Sequence, residues 1–354
     1  MALKIGSRLV GDKQPCFITL EAGPTHDGLA TAKKLVKAAA DAGADAVKFQ
    51  ILDADRLVAD KKQLFSYEIL ADRRTGARKE KSEPLYDILK RRSLSRDEWK
   101  EVKAYSDSLG LAFFATVSFE PEVDLLAELG CDSIKIASAD VNHFPLLDYA
   151  ARTGISLQLD TGNSTLGEIE AAVDRIVRAG NERIIIHHCP SGYPARRDGI
   201  NLRVIETLKA MFPYPAAFSD HTPGWDMDIA ALCLGANMLE KTITLDRTTP
   251  SVEHIMSLEG TEIAGFVRAI RDVEAAFGSP RRVMQEAEIK KRDLVRRSIF
   301  LKRAVRAGET LRAEDLDYRR PGTGIAPTEV GRVLGRKLAA DKPAGEMLRF
   351  EDLR

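Results

Sequence analysis

The chain has 354 residues, 44% apolar and 30% charged, which suits a globular protein of more than one and fewer than three typical domains. Lysine plus arginine and aspartate plus glutamate both number 53, so the formal net charge is zero and a general nucleic-acid binder, which relies on excess cationic charge, is excluded. No run reaches the roughly 18 apolar residues of a membrane span, residues 1–14 lack a secretory apolar core, and Cys16, Cys131, Cys189 and Cys233 form no CxxC pair, so a cytoplasmic protein with buried, reduced thiols and no membrane partner is expected.

Short β-rich runs recur along the chain, and helical patterns separate most of them. The runs are Cys16–Glu21, Ala46–Gln50, Ala112–Thr116, Ser133–Ala137, Ile155–Asp160, Arg183–His188, Ala216–Ser219 and Met238–Thr244. Apolar residues three and four apart predict helices over Ala30–Ala42, Arg96–Leu109, Pro121–Leu129, Leu166–Ala179, Leu202–Met211, Asp226–Leu234 and Thr261–Phe277. Strands alternating with helices imply parallel pairing, and eight such units are the count of a closed β/α barrel, an α/β fold. Between the second and third strands lies an insertion, residues 53–92. Its flanks, Leu64–Leu70 and Pro84–Lys90, read as helices bordering a site, and its charged middle, without apolar periodicity, reads as a solvated insertion. The domains expected are a barrel over 1–280, a linker over 281–296 and a compact, mainly β module over 297–354.

A barrel of this kind places its chemistry at the C-terminal strand ends. Those ends carry Glu21, Lys48 and Gln50, Thr116, Lys135 with Ser138, Asp160, His188 with Ser191 and Tyr193, Ser219 with Asp220 and His221, and Glu240 with Lys241 and Thr242. Lys48 and Gln50 are two apart and share one face. Polar groups on all eight strands predict a solvated polar cavity, because unpaired buried charges are costly. Two lysines with several hydroxyls suit a phosphorylated or carboxylated substrate. Glu21 is the candidate general acid/base. His221 is the foremost metal-ligand candidate, with His254 a further one, and imidazole with carboxylate ligands suits Mn, Zn or Mg.

With these elements in place, the chain resembles the sialic acid synthase family, the phosphoenolpyruvate-dependent nonulosonic acid synthases. The likeness rests on EAGPTHDG at 21–28, KFQ at 48–50, KIASAD at 135–140, DTGNSTLGEIE at 160–170, HCPSGYP at 188–194, SDHTPG at 219–224 and EKTITLD at 240–246. RRPGTGI at 319–325 is similar to the antifreeze-like (SAF) module these enzymes carry. The resemblance implies condensation of phosphoenolpyruvate with an N-acetylmannosamine-type aldehyde, water addition at the enol carbon and loss of phosphate.

By the same resemblance Lys48, Gln50, Thr116, Lys135, Ser138, Asp160, Ser191 and Ser219 stand at phosphoenolpyruvate-binding positions. Glu21 and His221 stand at catalytic positions, and Tyr193 and Glu253 at sugar-contacting ones. Arg320 matches an arginine extended into a partner copy's site, which implies a domain-swapped homodimer. A divalent cofactor, Mn or Mg, is implied, held by His221 and with His254 as a candidate second ligand. The sequence departs from the family where Thr242 replaces the usual second metal-binding histidine and where Asp160 replaces a common serine. Another phosphoenolpyruvate–aldose condensing enzyme, or a non-catalytic sugar-binding barrel, are the alternative readings.

Overall fold

The computed structural model describes residues 2–354. They divide into two compact units, Met1–Gly278 and Ser279–Arg354.

The first unit opens with a hairpin, β1 (Ala2–Ile5) and β2 (Arg8–Gly11). The wall of the barrel follows: β3 (Phe17–Glu21) and β4 (Ala46–Gln50), then, after the insertion strands β5 (Leu64–Asp72) and β6 (Ala77–Pro84), β7 (Ala112–Val117), β8 (Ser133–Ile136), β9 (Ser156–Asp160), β10 (Ile184–His188), β11 (Ala216–Asp220) and β12 (Met238–Thr244). Each wall strand pairs in parallel with the next, and β12 returns to β3, so eight strands close the barrel. Outward residues such as Ile18, Val47, Ile134 and Leu159 join the helices in one apolar layer. Being buried on both faces is why these strands read as apolar runs in the sequence.

Helices α1 (Leu29–Asp41), α2 (Ala54–Leu57), α3 (Leu85–Lys90), α4 (Arg96–Ser108), α5 (Glu120–Glu128), α6 (Phe144–Arg152), α7 (Leu166–Arg178), α8 (Val204–Met211), α9 (Asp226–Cys233) and α10 (Thr261–Phe277) complete the unit. Local chemistry sets their ends. Ser95 and Thr165 cap α4 and α7 in reciprocal boxes with Glu98 and Glu168, three residues on. Helix α7 then buries Ile169, Ala172, Val173 and Ile176, a one-sided 3–4 spacing.

The closed end of the barrel is apolar. Leu3, Ile5 and Val10 of the hairpin pack with Phe17, Ala46, Phe114, Ile185, Ala217 and Met238 near the strand beginnings. The hairpin therefore seals the end opposite the strand termini that carry the polar groups.

Several expectations are corrected. Leu64–Leu70 is a strand and not a helix: Phe65, Tyr67 and Ile69 alternate with Ser66 and Glu68, a period of two, and the burial follows it. The charged middle is mostly exposed and forms β6, paired antiparallel with β5 across the turn at Arg73–Gly76. Phe65, Tyr67 and Ile69 pack there with Ile88 and Val252. Helix α3 forms over most of the second flank. Within residues 281–296 lies a helix, α11 (Glu286–Val295), which buries none of its side chains and so shows no apolar periodicity. Cys233 is exposed, while the other three cysteines are buried and free.

The second unit pairs β14 (Ser298–Leu301) antiparallel with β15 (Leu316–Arg319); a two-residue strand, β13 (Leu258–Glu259), precedes it in the first unit, alongside β12. Its core gathers Ile299, Leu301, Val305, Leu311, Val333 and Leu338. Arg320 is exposed just beyond β15. Among the described residues no helix is long and apolar enough to cross a membrane.

Candidate active site

Register alone brings the polar strand ends together. Glu21 lies beside Lys48, Thr116 beside Lys135, and Ser219 beside Glu240, while Thr242 lies beside Glu21 across the closing seam. Neighbours in a parallel register project to the same side, so these side chains converge inside the barrel mouth.

They form one ion network. Lys48 bridges Glu21 and Glu240, with its ammonium 3.0 Å from Glu240 Oε1. Lys135 Nζ lies 2.6 Å from Glu240 Oε2, 3.0 Å from Asp160 Oδ1 and 2.9 Å from Ser219 Oγ. Below them His187 Nε2 donates to Gln158 Oε1 at 2.9 Å, and its Nδ1 faces Ser219 Oγ at 3.0 Å. Three carboxylates thus face two ammonium groups. Gly23 donates its N–H to Glu21 Oε1 at 2.5 Å. A Cβ at Gly23 would stand 2.6 Å from the Gln50 nitrogen, so only glycine lets the chain pass this close.

Burial decides the charge states. It pushes the Glu21 carboxyl up, against the opposing pull of Lys48. Burial also opposes charge on Lys48, but Glu21 and Glu240 outweigh it and hold the ammonium well above its usual range. For Glu240 the two lysines overcome burial and hold its carboxyl well below the usual range. Burial, then Lys135, lowers His187 to about 3, so that imidazole is neutral. The network therefore contains one carboxylate fixed as an anion and one, Glu21, suited to carry a proton.

Above it lies a cavity of about 330 Å³. Glu21, Lys48, Gln50, Thr116, Ser138 and Asp160 line its donor side. Tyr193, His221 and Glu253 stand on the other side. The insertion supplies an apolar wall of Leu57, Phe65, Leu85, Ile88 and Leu89, together with Arg92. Glu253 holds a left-handed backbone, φ 74°, a strained conformation for a residue with a Cβ. Burial raises its carboxyl to about 7, despite the opposing charge of Arg92.

The donor set for a metal is thin. His221 Nδ1 donates to the Pro190 carbonyl at 3.1 Å, which leaves Nε2 free, and the ring packs edge-on to Tyr193 at 4.8 Å. Thr242 offers only a hydroxyl, 3.5 Å from Glu253 Oε2. His254 turns away: its Nδ1 lies 2.8 Å from Thr244 Oγ1, and its side chain lines a separate cavity. Among the described residues no three His, Cys, Asp or Glu side chains gather as a ligand group. One imidazole beside the Glu253 carboxylate does not fit a resident transition-metal cage.

Four other predicted positions stand apart from the cavity. Lys135 and Ser219 are fully buried beneath it and reach it through Asp160 and Glu240. Ser191 is exposed and lines a groove between the loops after β9 and β10, because its loop turns Cys189 and Tyr193 inward instead. Arg320 belongs to the second unit. The sequence reading placed Glu240 at a strand end without giving it a role, and assigned no role to His187 or Arg92. Glu240 shares the inner face of β12 with Thr242, two residues on, and that period was the available signal.

The NeuB family pattern matches residues 35–282, and the SAF domain pattern matches residues 296–354. The chain is 35% identical over 348 residues to the N,N'-diacetyllegionaminic acid synthase of Legionella pneumophila, covering 97% of this chain and 96% of that one. It is 32% identical to the N-acetylneuraminate-9-phosphate synthase of Mus musculus, over 94% of this chain and 90% of that one. The solved N-acetylneuraminic acid synthetase of Leptospira borgpetersenii superposes with a TM-score of 0.70 at 29% identity, covering 82% of this chain and 95% of that one.

Proposed function

This chain belongs to the NeuB family and carries a SAF domain, and on that premise we propose that it is a cytoplasmic transferase joining phosphoenolpyruvate to an amino-sugar aldehyde. The product is a nonulosonic acid of the sialic type, and inorganic phosphate leaves. The observation that carries this reading is the Lys48–Glu21–Glu240 network, set at the floor of a cavity with a polar donor side and an apolar acceptor wall.

In this reading Lys48 meets the anionic groups of phosphoenolpyruvate, with Gln50, Thr116 and Ser138 donating around it. Lys135 holds Glu240 and Asp160 in place from below and is a positioning residue. The C3 carbon of the enol attacks the aldehyde carbon, and the carbonyl electrons move to its oxygen, which takes a proton. Water adds at C2, the C–O bond to phosphate breaks, and a ketone remains. Glu21, whose burial favours the protonated form, and Glu253, poised at about 7, are the groups suited to move these protons. Tyr193 flanks the sugar. The likeness that assigns Arg320 to a second copy's sugar site, in a domain-swapped homodimer, predicts loss of turnover when residues 297–354 are deleted.

The direct test is phosphate release from phosphoenolpyruvate with a panel of amino-sugar aldehydes. Release that depends on one of these sugars supports the reading. A folded sample that releases none with any of them refutes it.

A further inference from the structure

A second cavity, of about 490 Å³, lies beside the barrel mouth, between the loop after β3, the insertion and the loop after β12. Arg92 lines both cavities and so stands on the wall between them. It is 5% exposed, yet among the described residues it makes no ion pair, and its Nη2 has no hydrogen-bond partner. Its neighbours are satisfied. Arg91 grips Glu83 through two hydrogen bonds of 2.8 and 2.9 Å, and Lys81 donates to the Pro250 carbonyl at 2.8 Å.

His26, 3% exposed, lines the side cavity too, and neither of its ring nitrogens has a partner. The carboxylates on that wall are engaged: Asp246 binds Arg73 at 2.7 Å, and Asp27 accepts from Thr31. Burial opposes charge on Arg92, and Arg91 adds to that, while Glu253 and Glu21 on the barrel-mouth side favour the charged form. What remains unspent around the side cavity is a buried guanidinium and an unpartnered imidazole. A buried cation without a partner is destabilising, and an oxyanion is the complement it lacks.

We propose that the side cavity is an anion subsite of the acceptor, where Arg92 and His26 bind a phosphate or carboxylate at the end of the sugar remote from its aldehyde. An anionic amino sugar is then the acceptor class. This rests on the synthase reading above and narrows its substrate.

Calorimetry without phosphoenolpyruvate compares N-acetylmannosamine, its 6-phosphate and N-acetylmannosaminuronic acid on the full chain. One anionic sugar binds about tenfold tighter than the neutral one, the worth of a charge-assisted hydrogen bond. The two anions separate a phosphate subsite from a carboxylate one. Arg92→Met removes the preference, and Arg92→Lys, which keeps the charge without the fork, retains part of it and guards against a folding loss. Under turnover, Arg92→Met raises KM for the anionic acceptor and leaves KM for phosphoenolpyruvate unmoved. Equal affinity for neutral and anionic sugars, no binding by either anion, or a preference that survives in Arg92→Met overturns the proposal. Anion preference lost in Arg92→Met but with no phosphate release from any sugar leaves the subsite standing and sinks the synthase reading. Turnover of neutral sugars without any anion preference does the reverse.

Discussion

The two ends of one barrel solve opposite problems with the same eight strands. At the closed end Phe17, Phe114, Ile185 and Met238 meet apolar partners under the β1–β2 hairpin. A few residues further along, those strands carry Glu21, Asp160, Glu240 and the lysines between them, all buried. Burying apolar surface stabilises without regard to direction. A buried ion network stabilises only while every partner stays in place. The closed end therefore tolerates substitution in proportion to volume, and the mouth tolerates almost none.

Breaking the mouth gives the largest effect. Lys135→Ala takes the ammonium from Asp160 and leaves Glu240 with Lys48 alone, and stability falls by about 3–5 kcal/mol. Turnover falls about 10²–10³-fold, as when a preorganised electrostatic group is removed. Denaturant unfolding and phosphate release check both, and unchanged unfolding would show the network to be dispensable. At the closed end, Met238→Ala loses about 2–5 kcal/mol to its cavity. It keeps kcat, and that separation of stability from turnover is what the comparison asserts.

A finer test uses pH. The folded state holds the Glu253 proton up to about 7, whereas the carboxyl's ordinary value is 4.5. The stability tied to that proton is full below pH 4.5 and is lost as pH rises through 7, a loss of about 3 kcal/mol. Glu253→Gln removes this slope. His26 acts in the opposite sense: burial, then Arg92, lowers it to about 4 from 6.5, so its contribution is full above 6.5 and is lost as pH falls through 4. Unfolding free energies across pH 4–8 in wild type and Glu253→Gln check both slopes. A smaller change follows from Thr242→His, which sets a second imidazole on the inner face of β12 and tightens Mn binding, measured by calorimetry. Unchanged affinity would show that position 242 and His221 do not share an ion.

The wall of the barrel was legible because strands buried on both faces appear as apolar runs; the ends of β4 and β12 match to the residue. The mouth was legible where a charge interrupts such a run, as at Lys48 and Lys135. Partnership was not: Lys135 meets Glu240 across 105 positions of sequence, which only the closed register brings about. Arg92 was hidden in a charged stretch beside Arg91. Two arginines of identical appearance differ only in that one finds Glu83 and the other finds nothing. The β5–β6 hairpin was hidden because lysines and glutamates on its outer face masked an alternation visible only in Phe65, Tyr67 and Ile69.

That hairpin leaves the barrel after β4 and returns before α4, and it adds no strand to the wall. Tyr67 ties it to the Pro250 carbonyl at 3.1 Å, in the loop that carries Glu253. Residues 64–84 thus form a cassette that lends Phe65 to the apolar wall of the cavity and leaves the eight-stranded wall unchanged. On the proposed reading, chimeras that graft this cassette from one relative to another would exchange sugar preference while the barrel beneath stays constant.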